Sequence, residues 1–323
     1  MMLISKCPLR ISLVGGSTDL EEFIDTTGYG SVINFPCNLY TYIVLFTDKN
    51  GYNQYSNKYI INYTTREEVK SYKDIKNDVA REVLSYFDCP PINISFNSDV
   101  FSSGSGLASS SSYVISLVNA INNYKKLNLS KYEICHKALE IERKFNPLTG
   151  RQDVYGCGLG GFKRLEFFPE KKVSTTILDD AILNKFDIYL VYTGITRSST
   201  EVLKSLDLKK SKKQIDLVES MEKCIINNDD KSFCEIINEG WINKKESSAL
   251  ILKNDFLREM DERLSLEPDV KAHKLCGAGG GGYFLVFFDK GKRWKKWDKI
   301  KNFEKASFKI DVNERGVSSQ YRE

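Results

Sequence analysis

The sequence predicts an α+β protein built of two domains, and three observations support that class. Up to about residue 170, runs rich in β-branched and aromatic residues alternate with segments of helical spacing. Beyond Pro169–Lys172, a strong strand pattern is followed by a long polar helical region and then by a glycine loop that enters another strand. The chain has 323 residues, of which 41% are apolar, which is enough to fill a sizeable core. We therefore expect one domain over residues 1–170 and a second over residues 171–323.

The first domain opens with segments that read as strands. Three of them, SKCPLRISLV, SVINFPCNLYTYIVLFT and PINISFNSDV, carry the β-branched and aromatic residues that strands favour. Between the second and the third, DVAREVLSYF places Val79, Val83, Leu84 and Phe87 at helical spacing. The first hundred residues are therefore predicted to form two strands, a helix and a further strand.

Two longer helices are predicted after these strands. The segment from Ala108 to Lys126 is the longest clear helical pattern in the first domain. Its apolar stripe consists of Val114, Leu117, Val118 and Ile121. Residues 131–145 form the second pattern, and Pro147 lies just beyond its end. In the second domain, FDIYLVYTG predicts a strand, residues 199–266 predict helices, and LCGAGGGGYFLVFF predicts a glycine loop followed by a strand.

Charge and cysteine usage argue against several classes of protein. The net charge is +4, and the clusters of basic residues at 209–213 and 290–301 read as solvated faces, so we expect no nucleic-acid partner. The eight cysteines form no CxxC pair and there are two histidines, which argues against a zinc site. The N-terminus makes a poor signal peptide and no apolar run approaches a membrane span. We expect a cytoplasmic protein with reduced thiols and no membrane contact.

The stretch SSGSGLASSSSYVISLVNAI, at residues 102–121, combines features of a phosphate-binding loop. Glycines let backbone N–H groups approach a phosphate closely, and a helix N-terminus adds a partial positive charge. Hydroxyl groups beside that terminus can reach a phosphate oxygen or a Mg²⁺ ion. The stretch is no Walker loop, because GxxxxGK[ST] needs a lysine that is absent. A serine-rich N-cap on an ordinary helix explains the same residues equally well, so both interpretations stay open at this point.

Two further glycine motifs match GxGxxG, at residues 156–161 and 277–282. The dinucleotide fingerprint requires a strand, then the glycines, then a helix, whereas each of these motifs precedes an apparent strand. Neither motif therefore predicts a dinucleotide site. The second one can pack closely against a ligand or another backbone, although a structural turn is its simpler use.

Four charged residues are candidates for chemistry. Phosphoryl transfer needs a phosphate cradle, a divalent ion, a group that accepts the hydroxyl proton, and positive charge. Glu142 and Asp153 form the best carboxylate pair, although a solvated helix end and a turn would explain them as well. Arg10 lies inside an apolar strand, where a charge is costly unless it is paired. Asp19 follows a Gly-Gly-Ser-Thr turn and can either bind hydroxyl groups or cap the next helix.

Three motifs in one order, PLRISLVGGSTDL, GSGLASSSS and KLCGAGGGGYFLVF, span nearly the whole chain together with GRQD at 150–153. In this combination the sequence resembles the GHMP family of small-molecule kinases. The stretches DVAREVLSYF, TGRQDVYGCGLGGF and VYTGITRSS are most similar to the branch that phosphorylates heptose 7-phosphates. The resemblance implies the GHMP kinase fold, with an N-terminal domain like ribosomal protein S5 domain 2 and a ferredoxin-like C-terminal domain.

The same resemblance implies a reaction. The enzyme would use ATP and Mg²⁺ to phosphorylate the anomeric hydroxyl of D-glycero-D-manno-heptose 7-phosphate, giving the 1,7-bisphosphate. That product would lead to nucleotide-activated heptose for a capsule or another surface glycan. The implied partners are small molecules, and a homodimer is left open.

Residue roles follow from motif positions in this sequence. The resemblance makes Asp153 the catalytic base and Arg10 the cation that steadies developing charge, and it gives Ser110 and Glu142 to the metal. The implied ATP-binding residues are Gly104, Ser105, Gly106, Leu107, Ala108, Ser109, Ser110 and Ser111. The expected substrate-binding residues are Gly16, Ser17, Thr18, Asp19, Thr196, Arg197, Gly279 and Gly280. Arg197 is the candidate for the 7-phosphate, since a guanidinium flanked by hydroxyls can grip a dianion. Lys244 and Lys245 are weaker candidates.

The sequence departs from the family pattern where glycine is usual. Ala108 stands before the serines, and Ser17 replaces the third glycine of the first motif. Two other functions stay open beside the leading one: a fucokinase-like enzyme acting on an unphosphorylated sugar, and a non-catalytic nucleotide-binding or sugar-binding paralogue. Arg197 distinguishes the leading function from the first alternative, because an enzyme for a neutral sugar needs no arginine to bind a phosphate group.

Overall fold

The computed structural model describes residues 2–46, 57–101, 104–196, 202, 204–205, 211–292 and 307–322. The strands in this part of the chain are β1 (Met2–Val14), β2 (Gly30–Phe46), β3 (Tyr59–Asn62), β4 (Arg66–Val69), β5 (Asn93–Ser98), β6 (Lys163–Phe167), β7 (Val173–Ile177), β8 (Phe186–Tyr192), β9 (Val270–Leu275), β10 (Tyr283–Asp289), β11 (Ser307–Lys309) and β12 (Ser318–Arg322). The α-helices are α1 (Glu21–Thr27), α2 (Asp78–Tyr86), α3 (Ser109–Lys125), α4 (Lys131–Glu142), α5 (Arg151–Gly158), α6 (Lys212–Ile226), α7 (Asp230–Ser247) and α8 (Asp255–Leu266). This mixture confirms the predicted α+β class.

The strands form two sheets. The first has eight strands, with β12-β1-β2-β5-β3-β4 as its main order and β6 and β7 joined to β2 through β6. The long strand β2 makes this branching possible, because its residues 30–34 pair with β6 and its residues 41–46 pair with β5. The second sheet has the order β11-β8-β10-β9 and is antiparallel throughout.

Strand β1 belongs to two hydrophobic cores. Its early residues, such as Leu3 and Cys7, pack with α2, α3, α4 and α5 on one side of the first sheet. Its later residues, such as Leu9 and Ile11, share a core with the second sheet and with α6 and α7. A third core lies between the second sheet and α8, where Trp241 and Phe284 pack. The end of β1 therefore packs against the second sheet, and Arg10 lies in that part of the strand.

The predicted helix over 108–126 is confirmed as α3, and the second predicted helix ends at Glu142 rather than at residue 145. The polar region predicted to be helical contains α6, α7 and α8 within the described residues. The division at residue 170 stays a prediction. Strands β7 and β12, both beyond it in the chain, are part of the first sheet.

Candidate active site

A cleft of about 430 Å³ lies where the two sheets meet. It is lined by the end of β1 and the turn after it, the serine loop at residues 104–111, the segment between α4 and α5, one side of α6 and α7, and the start of the glycine loop at residues 277–282. The predicted site residues in its wall are Arg10, Gly16, Ser17, Asp19, Gly104, Ser105, Gly106, Ala108, Ser109, Ser110, Ser111, Glu142, Asp153 and Lys244. The three sequence motifs therefore converge on one cleft.

The serine loop leaves the N-terminus of α3 open toward the cleft. Its N-cap residue is Ala108, which makes no side-chain cap and has a left-handed backbone with φ 60° and ψ 39°. The hydroxyl groups of Ser105 and Ser109 bond to each other at 2.8 Å, and Ser105 Oγ accepts from the N–H of Leu107 at 3.2 Å. The serines thus brace the loop, while the first N–H groups of a 17-residue helix have no side-chain cap. Such a terminus suits a phosphate group.

Glu142, at the end of α4, is buried beside the first turn of α3. Ser111 Oγ donates a hydrogen bond of 2.6 Å to Glu142 Oε2. Burial raises the pKa of this carboxyl from 4.5 to about 7, although Ser111, Ser110 and Thr149 favour its charged form. Ser110 is exposed at the same turn. A buried carboxylate next to an exposed hydroxyl supplies the oxygen ligands that Mg²⁺ prefers when phosphate oxygens complete the shell.

Arg10 and Asp153 form a fixed pair at the centre of the cleft. Arg10 Nε and Nη2 donate to Asp153 Oδ1 at 3.0 and 2.7 Å, and Arg10 Nη1 donates to the carbonyl oxygen of Gly106 at 2.7 Å. Arg10 is 4% exposed, and burial tends to lower its pKa, but the Asp153 carboxylate outweighs this and the pKa is raised. The costly charge in the apolar strand is therefore paired, as its position predicted, and the pair is tied to the serine loop.

Asp19 lies at the N-terminus of α5. Its Oδ2 accepts from the backbone N–H of Gln152 at 3.1 Å and its Oδ1 from Gln152 Nε2 at 3.0 Å. A side chain at Gly150 would come within 1.9 Å of Asp19 Oδ2, so glycine is required there. Burial, with a contribution from Asp153, raises the pKa of Asp19 to about 6. Asp19 therefore binds the first turn of α5. The alternative prediction, that it caps the helix directly after it in the chain, is wrong, because the N-cap of α1 is Leu20 and no side chain caps that helix.

Both ends of α5 are anchored, which fixes Asp153 in its first turn. At the start, buried Arg151 donates through Nε and Nη2 to the Glu21 carboxylate at 2.9 and 2.6 Å. At the end, the buried ammonium of Lys163 donates to the carbonyl oxygens of Gly156, Leu159 and Gly161 at 3.2, 2.8 and 3.3 Å. This short helix and its anchors were not predicted from the sequence. An arginine beside the predicted base and a lysine in an apolar strand were the available signals.

The glycine loop packs against the serine loop backbone to backbone. A Cβ atom at Gly277 would lie 2.4 Å from Gly106 Cα, and one at Gly282 would lie 2.3 Å from Ser105 O. Gly277 has φ 64° and Gly282 has φ 92°, which side chains rarely adopt. The first GxGxxG match is the end of α5 and the start of the following turn. Neither match precedes a helix, in line with the expectation that they are not dinucleotide motifs.

Six of the predicted site residues that the structure describes are outside the cleft lining. They are Thr18, Leu107, Thr196, Lys245, Gly279 and Gly280. The hydroxyl of Thr18 donates to backbone oxygens of Gly15 and Ser31. Gly279 packs against Ile251, and the N–H of Gly280 donates to the carbonyl oxygen of Ile251 at 2.8 Å. Their direct contact with a substrate stays a prediction.

The three candidates for the 7-phosphate are placed differently. Arg197 lies outside the described residues, directly after exposed Thr196. Lys244 lines the cleft and donates to the carbonyl oxygen of Gly277. Lys245 is not in the cleft wall, because its ammonium pairs with Asp261 at 2.7 Å. Asn243 and Lys274 line the cleft too, and sequence analysis did not select them.

Among the described residues, no three His, Cys, Asp or Glu side chains are grouped so as to hold a metal ion by themselves. A divalent ion at Ser110 and Glu142 would therefore need phosphate or water oxygens as further ligands. None of the helices in the described ranges has the length and apolar character needed to cross a membrane.

Comparisons with known proteins agree with this geometry. Residues 72–161 match the family described as GHMP kinases N terminal domain. The chain is 30% identical over 319 residues to the D-glycero-alpha-D-manno-heptose 7-phosphate kinase of Campylobacter jejuni, covering 90% of each chain. A solved Campylobacter jejuni structure described as that of a sugar kinase is 26% identical, with a TM-score of 0.75 over 99% of this chain and 98% of the other. Lactococcus lactis galactokinase, at 15% identity, has a TM-score of 0.73 over 99% and 95% and shows the fold alone.

Proposed function

Since this chain belongs to the GHMP kinase family, we propose that it transfers the γ-phosphoryl group of ATP to the anomeric hydroxyl of D-glycero-D-manno-heptose 7-phosphate. The chain is an ATP-dependent phosphotransferase with an alcohol acceptor, and the acceptor itself is the proposal. The 30% identity over 90% of both chains supports the heptose phosphate. The observation that carries the chemistry is the contact of Arg10 with both Asp153 and the carbonyl oxygen of Gly106. Through Arg10, the carboxylate that would accept the proton is held beside the serine loop that would bind the phosphates.

The donor would lie along the serine loop. Its phosphates would accept hydrogen bonds from the open N-terminus of α3, where Ala108 leaves the backbone N–H groups uncapped. Ser110 and Glu142 would hold Mg²⁺, which supplies neutralisation of charge on the phosphate oxygens when it is bound. Glu142 would then be charged, because a nearby cation favours the carboxylate over the acid.

The acceptor hydroxyl would be activated at Asp153. Both nitrogens of Arg10 that reach this carboxylate bind Oδ1, and Oδ2 has no hydrogen-bond partner among the described residues. Oδ2 would accept the hydroxyl proton while the hydroxyl oxygen forms its bond to the γ-phosphorus and the bond to ADP breaks. Arg10 would stay protonated and stabilise the charge that develops between acceptor and donor. The proton would leave Asp153 to solvent after transfer, since the side chain is 26% exposed.

Arg197 is our candidate for holding the 7-phosphate. The segment before it is anchored to the glycine loop, since the N–H of Gly282 donates to the carbonyl oxygen of Ile195 at 2.9 Å. We expect Arg197→Ala to raise the KM for the heptose phosphate at least about tenfold, because a charge-assisted contact with a dianion is lost. The KM for ATP should stay unchanged in the same steady-state assay.

The matched control is Arg263→Ala, which removes an exposed arginine paired with Glu259 on α8. It should leave both KM values at their wild-type level. An Arg197→Ala enzyme with an unchanged KM for the sugar phosphate would rule out the clamp.

The proposed acceptor is tested by ADP release with Mg-ATP over a panel of sugars. The panel contains D-glycero-D-manno-heptose 7-phosphate, sedoheptulose 7-phosphate, mannose 6-phosphate, mannose, galactose and L-fucose. Turnover of the manno-heptose 7-phosphate alone would support the proposal. Turnover of a neutral sugar alone would keep the kinase and reject the phosphate acceptor. Bound ATP without turnover of any sugar would favour a non-catalytic paralogue.

The biological role follows from the product. A heptose 1,7-bisphosphate would be an intermediate on a route to nucleotide-activated heptose for capsule or other surface glycans. ATP and sugar phosphates are cytoplasmic metabolites, so we place the enzyme in the cytoplasm as part of the same proposal.

A further inference from the structure

The cleft wall on the side of the second sheet contains a lysine that has no part in the proposed phosphoryl transfer. Lys274, on β9, lines the cleft and is 8% exposed. Its ammonium donates to the carbonyl oxygen of Leu13 at 2.6 Å, which places it against the end of β1. An ammonium has three N–H donors, and this is the one hydrogen bond that the Lys274 ammonium makes in the described part of the chain. It forms no ion pair with any described Asp or Glu.

A buried cation without a carboxylate partner is costly. Arg10, another buried cation of the cleft, is neutralised by the Asp153 carboxylate. The Lys274 ammonium contacts an uncharged group instead, the carbonyl oxygen of Leu13. The pKa of Lys274 is lowered to about 8, mainly by burial and to a smaller extent by the nearby charge of Arg10. The side chain therefore still carries its charge at neutral pH. Buried charges are normally paired. We therefore expect an oxygen atom of a bound ligand to be the missing partner of the Lys274 ammonium.

Other polar atoms in the wall of the same cleft lack partners as well. Ser12 Oγ, Gln152 Oε1 and Asn243 Nδ2 are buried and make no hydrogen bond within the described residues. All three side chains line the cleft. Native proteins leave few such atoms unsatisfied, and those at a cleft are commonly completed by a ligand or by water. Their mixture of donors and acceptors suits a molecule that has several hydroxyl groups.

These side chains form one continuous surface. Ser12 precedes Leu13, the acceptor of the Lys274 hydrogen bond. A side chain at Gly16 would approach Ser12 Oγ and Gln152 Nε2 at 3.9 Å each, so the glycine leaves an opening between them. Helix α7, which carries Asn243, is fixed to the same place because Gly240 packs against Val14. The surface adjoins Asp153 through Gln152, which precedes it on α5.

We propose that Lys274, together with Ser12, Gln152 and Asn243, forms the acceptor subsite, and that its ammonium donates to sugar oxygens near the reacting hydroxyl. This inference rests on the proposed function for the identity of the sugar. It assigns Lys274 to acceptor recognition rather than to the transferred phosphoryl group. The two roles differ in the kinetic constant that they affect, because a contact made equally in ground and transition states changes KM alone.

The test compares Lys274→Met with the wild-type enzyme. Methionine keeps the length and volume of the side chain and removes its charge and its donors. We expect the KM for the acceptor to rise at least about tenfold, because an unmade bond to a buried polar group costs that much or more. The kcat and the KM for ATP should change by less than about threefold, and Lys274→Arg should recover part of the loss.

Lys271→Met is the matched control, since Lys271 is an exposed lysine of the same strand that pairs with Asp289. Thermal unfolding and Mg-ADP binding of all variants show whether the fold and the donor site are intact. An unchanged acceptor KM in Lys274→Met would overturn the inference. A fall in kcat with both KM values unchanged would overturn it too, and would place the ammonium at the transferred phosphoryl group.

The proposed function can fail separately. If the wild type turns over a neutral sugar alone, the heptose phosphate is rejected as the acceptor. The KM of Lys274→Met for that sugar, divided by the KM of the wild type, then still decides the role of Lys274. If the wild type turns over no sugar, calorimetric binding of the heptose 7-phosphate replaces the assay. Equal binding by wild type and Lys274→Met then overturns the inference, and binding by neither protein overturns both proposals.

Discussion

Arg10 shows how much a single residue type can predict. A charge inside an apolar strand demands a partner, and the structure supplies Asp153, which is 143 residues away in the chain. The sequence could select both members of the pair because each stood out locally. It could not select Lys274 or Asn243, since both stand in segments that are polar already, VKAHKL and WINKKES, where one more polar residue does not stand out. Their proximity to Ser12 depends on the packing of the second sheet against β1.

Asp153→Asn tests the proton acceptor. Asparagine can still accept the hydrogen bonds from Arg10 through its oxygen, but it lacks the charge that takes up the hydroxyl proton. We expect kcat to fall about 10²–10⁴-fold while ATP still binds, as for loss of a general base. Steady-state turnover and equilibrium nucleotide binding measure the two effects.

The control for this variant is Asp25→Asn, an exposed position on α1. It should retain wild-type turnover. Near-normal turnover by Asp153→Asn would remove Asp153 from the role of base.

Glu142 gives a prediction about pH. Its pKa is about 7 in the folded protein and 4.5 ordinarily, so the folded state binds a proton more tightly than the unfolded state does. In the metal-free protein, the stabilisation is therefore full below pH 4.5 and is lost as the pH rises to about 7. Glu142→Gln should remove a pH-dependent contribution of about 3 kcal/mol from the free energy of unfolding.

Urea unfolding between pH 4.5 and 8 measures this difference. Asp19 also has a raised pKa and contributes a slope of the same sign, so the comparison must be made between wild type and variant. Parallel pH profiles for the two proteins would contradict the assignment of the raised pKa to Glu142.

At the scale of elements, long periodic helices were predictable and short helices of mixed composition were not. Helix α3 has 17 residues and a clear apolar stripe, so its bounds followed from the sequence within one residue. Helix α5 has eight residues, including Gly156 and Gly158, which read as a loop. Those glycines are needed for packing, since a side chain at Gly158 would lie 2.2 Å from Cys135 Sγ. Tertiary contact overrides helix propensity here.

The two departures from the family glycines occur at strained positions. Ser17 has φ 76° and Ala108 has φ 60°, so both keep the left-handed backbone that glycine adopts without cost. A left-handed backbone costs a residue with a side chain roughly 1–2 kcal/mol. The structure therefore accepts backbone strain at both positions where the family pattern has glycine.

Ala108→Gly should therefore stabilise the protein. We expect the free energy of unfolding to rise by about 0.5–1 kcal/mol, because relief of strain exceeds the added chain entropy of glycine. Lys126→Gly is the matched variant, since Lys126 has φ 55° at the other end of α3 and is remote from the serine loop. Both should gain stability in chemical unfolding. A loss of stability in Ala108→Gly would show that the backbone at this position is unstrained.

At the scale of the whole molecule, the fold class could be predicted and the strand order could not. Periodicity identifies a strand but does not say which strand lies beside it. The pairing of β1 with β12 joins residues 2–6 to residues 318–322, and no local feature of the sequence indicates it. The cleft depends on similar distant contacts, because Gly106 packs against Gly277 across the boundary between the sheets.

Removal of residues 318–323 should destabilise the first sheet. The register pairs Met2 to Lys6 with Arg322 to Ser318, so deletion leaves one side of β1 without its ladder. We expect the free energy of unfolding to fall by about 3 kcal/mol, at roughly 1 kcal/mol for each backbone hydrogen bond lost. Gln320→Ala, which keeps the backbone ladder, should have little effect. Equal stability of the truncated and full chains would show that β12 adds nothing to the sheet.

The β1–β12 pairing also has a consequence for the order of events at the ribosome. Strand β1 emerges long before β12, because its neighbour in the sheet is made more than three hundred residues later. During synthesis, that edge of the nascent sheet exposes unpaired N–H and C=O groups, which can pair with another chain. Translation at roughly 5–20 residues per second keeps the edge open for tens of seconds. Protection of the growing chain by a chaperone would therefore matter most at its N-terminal strand.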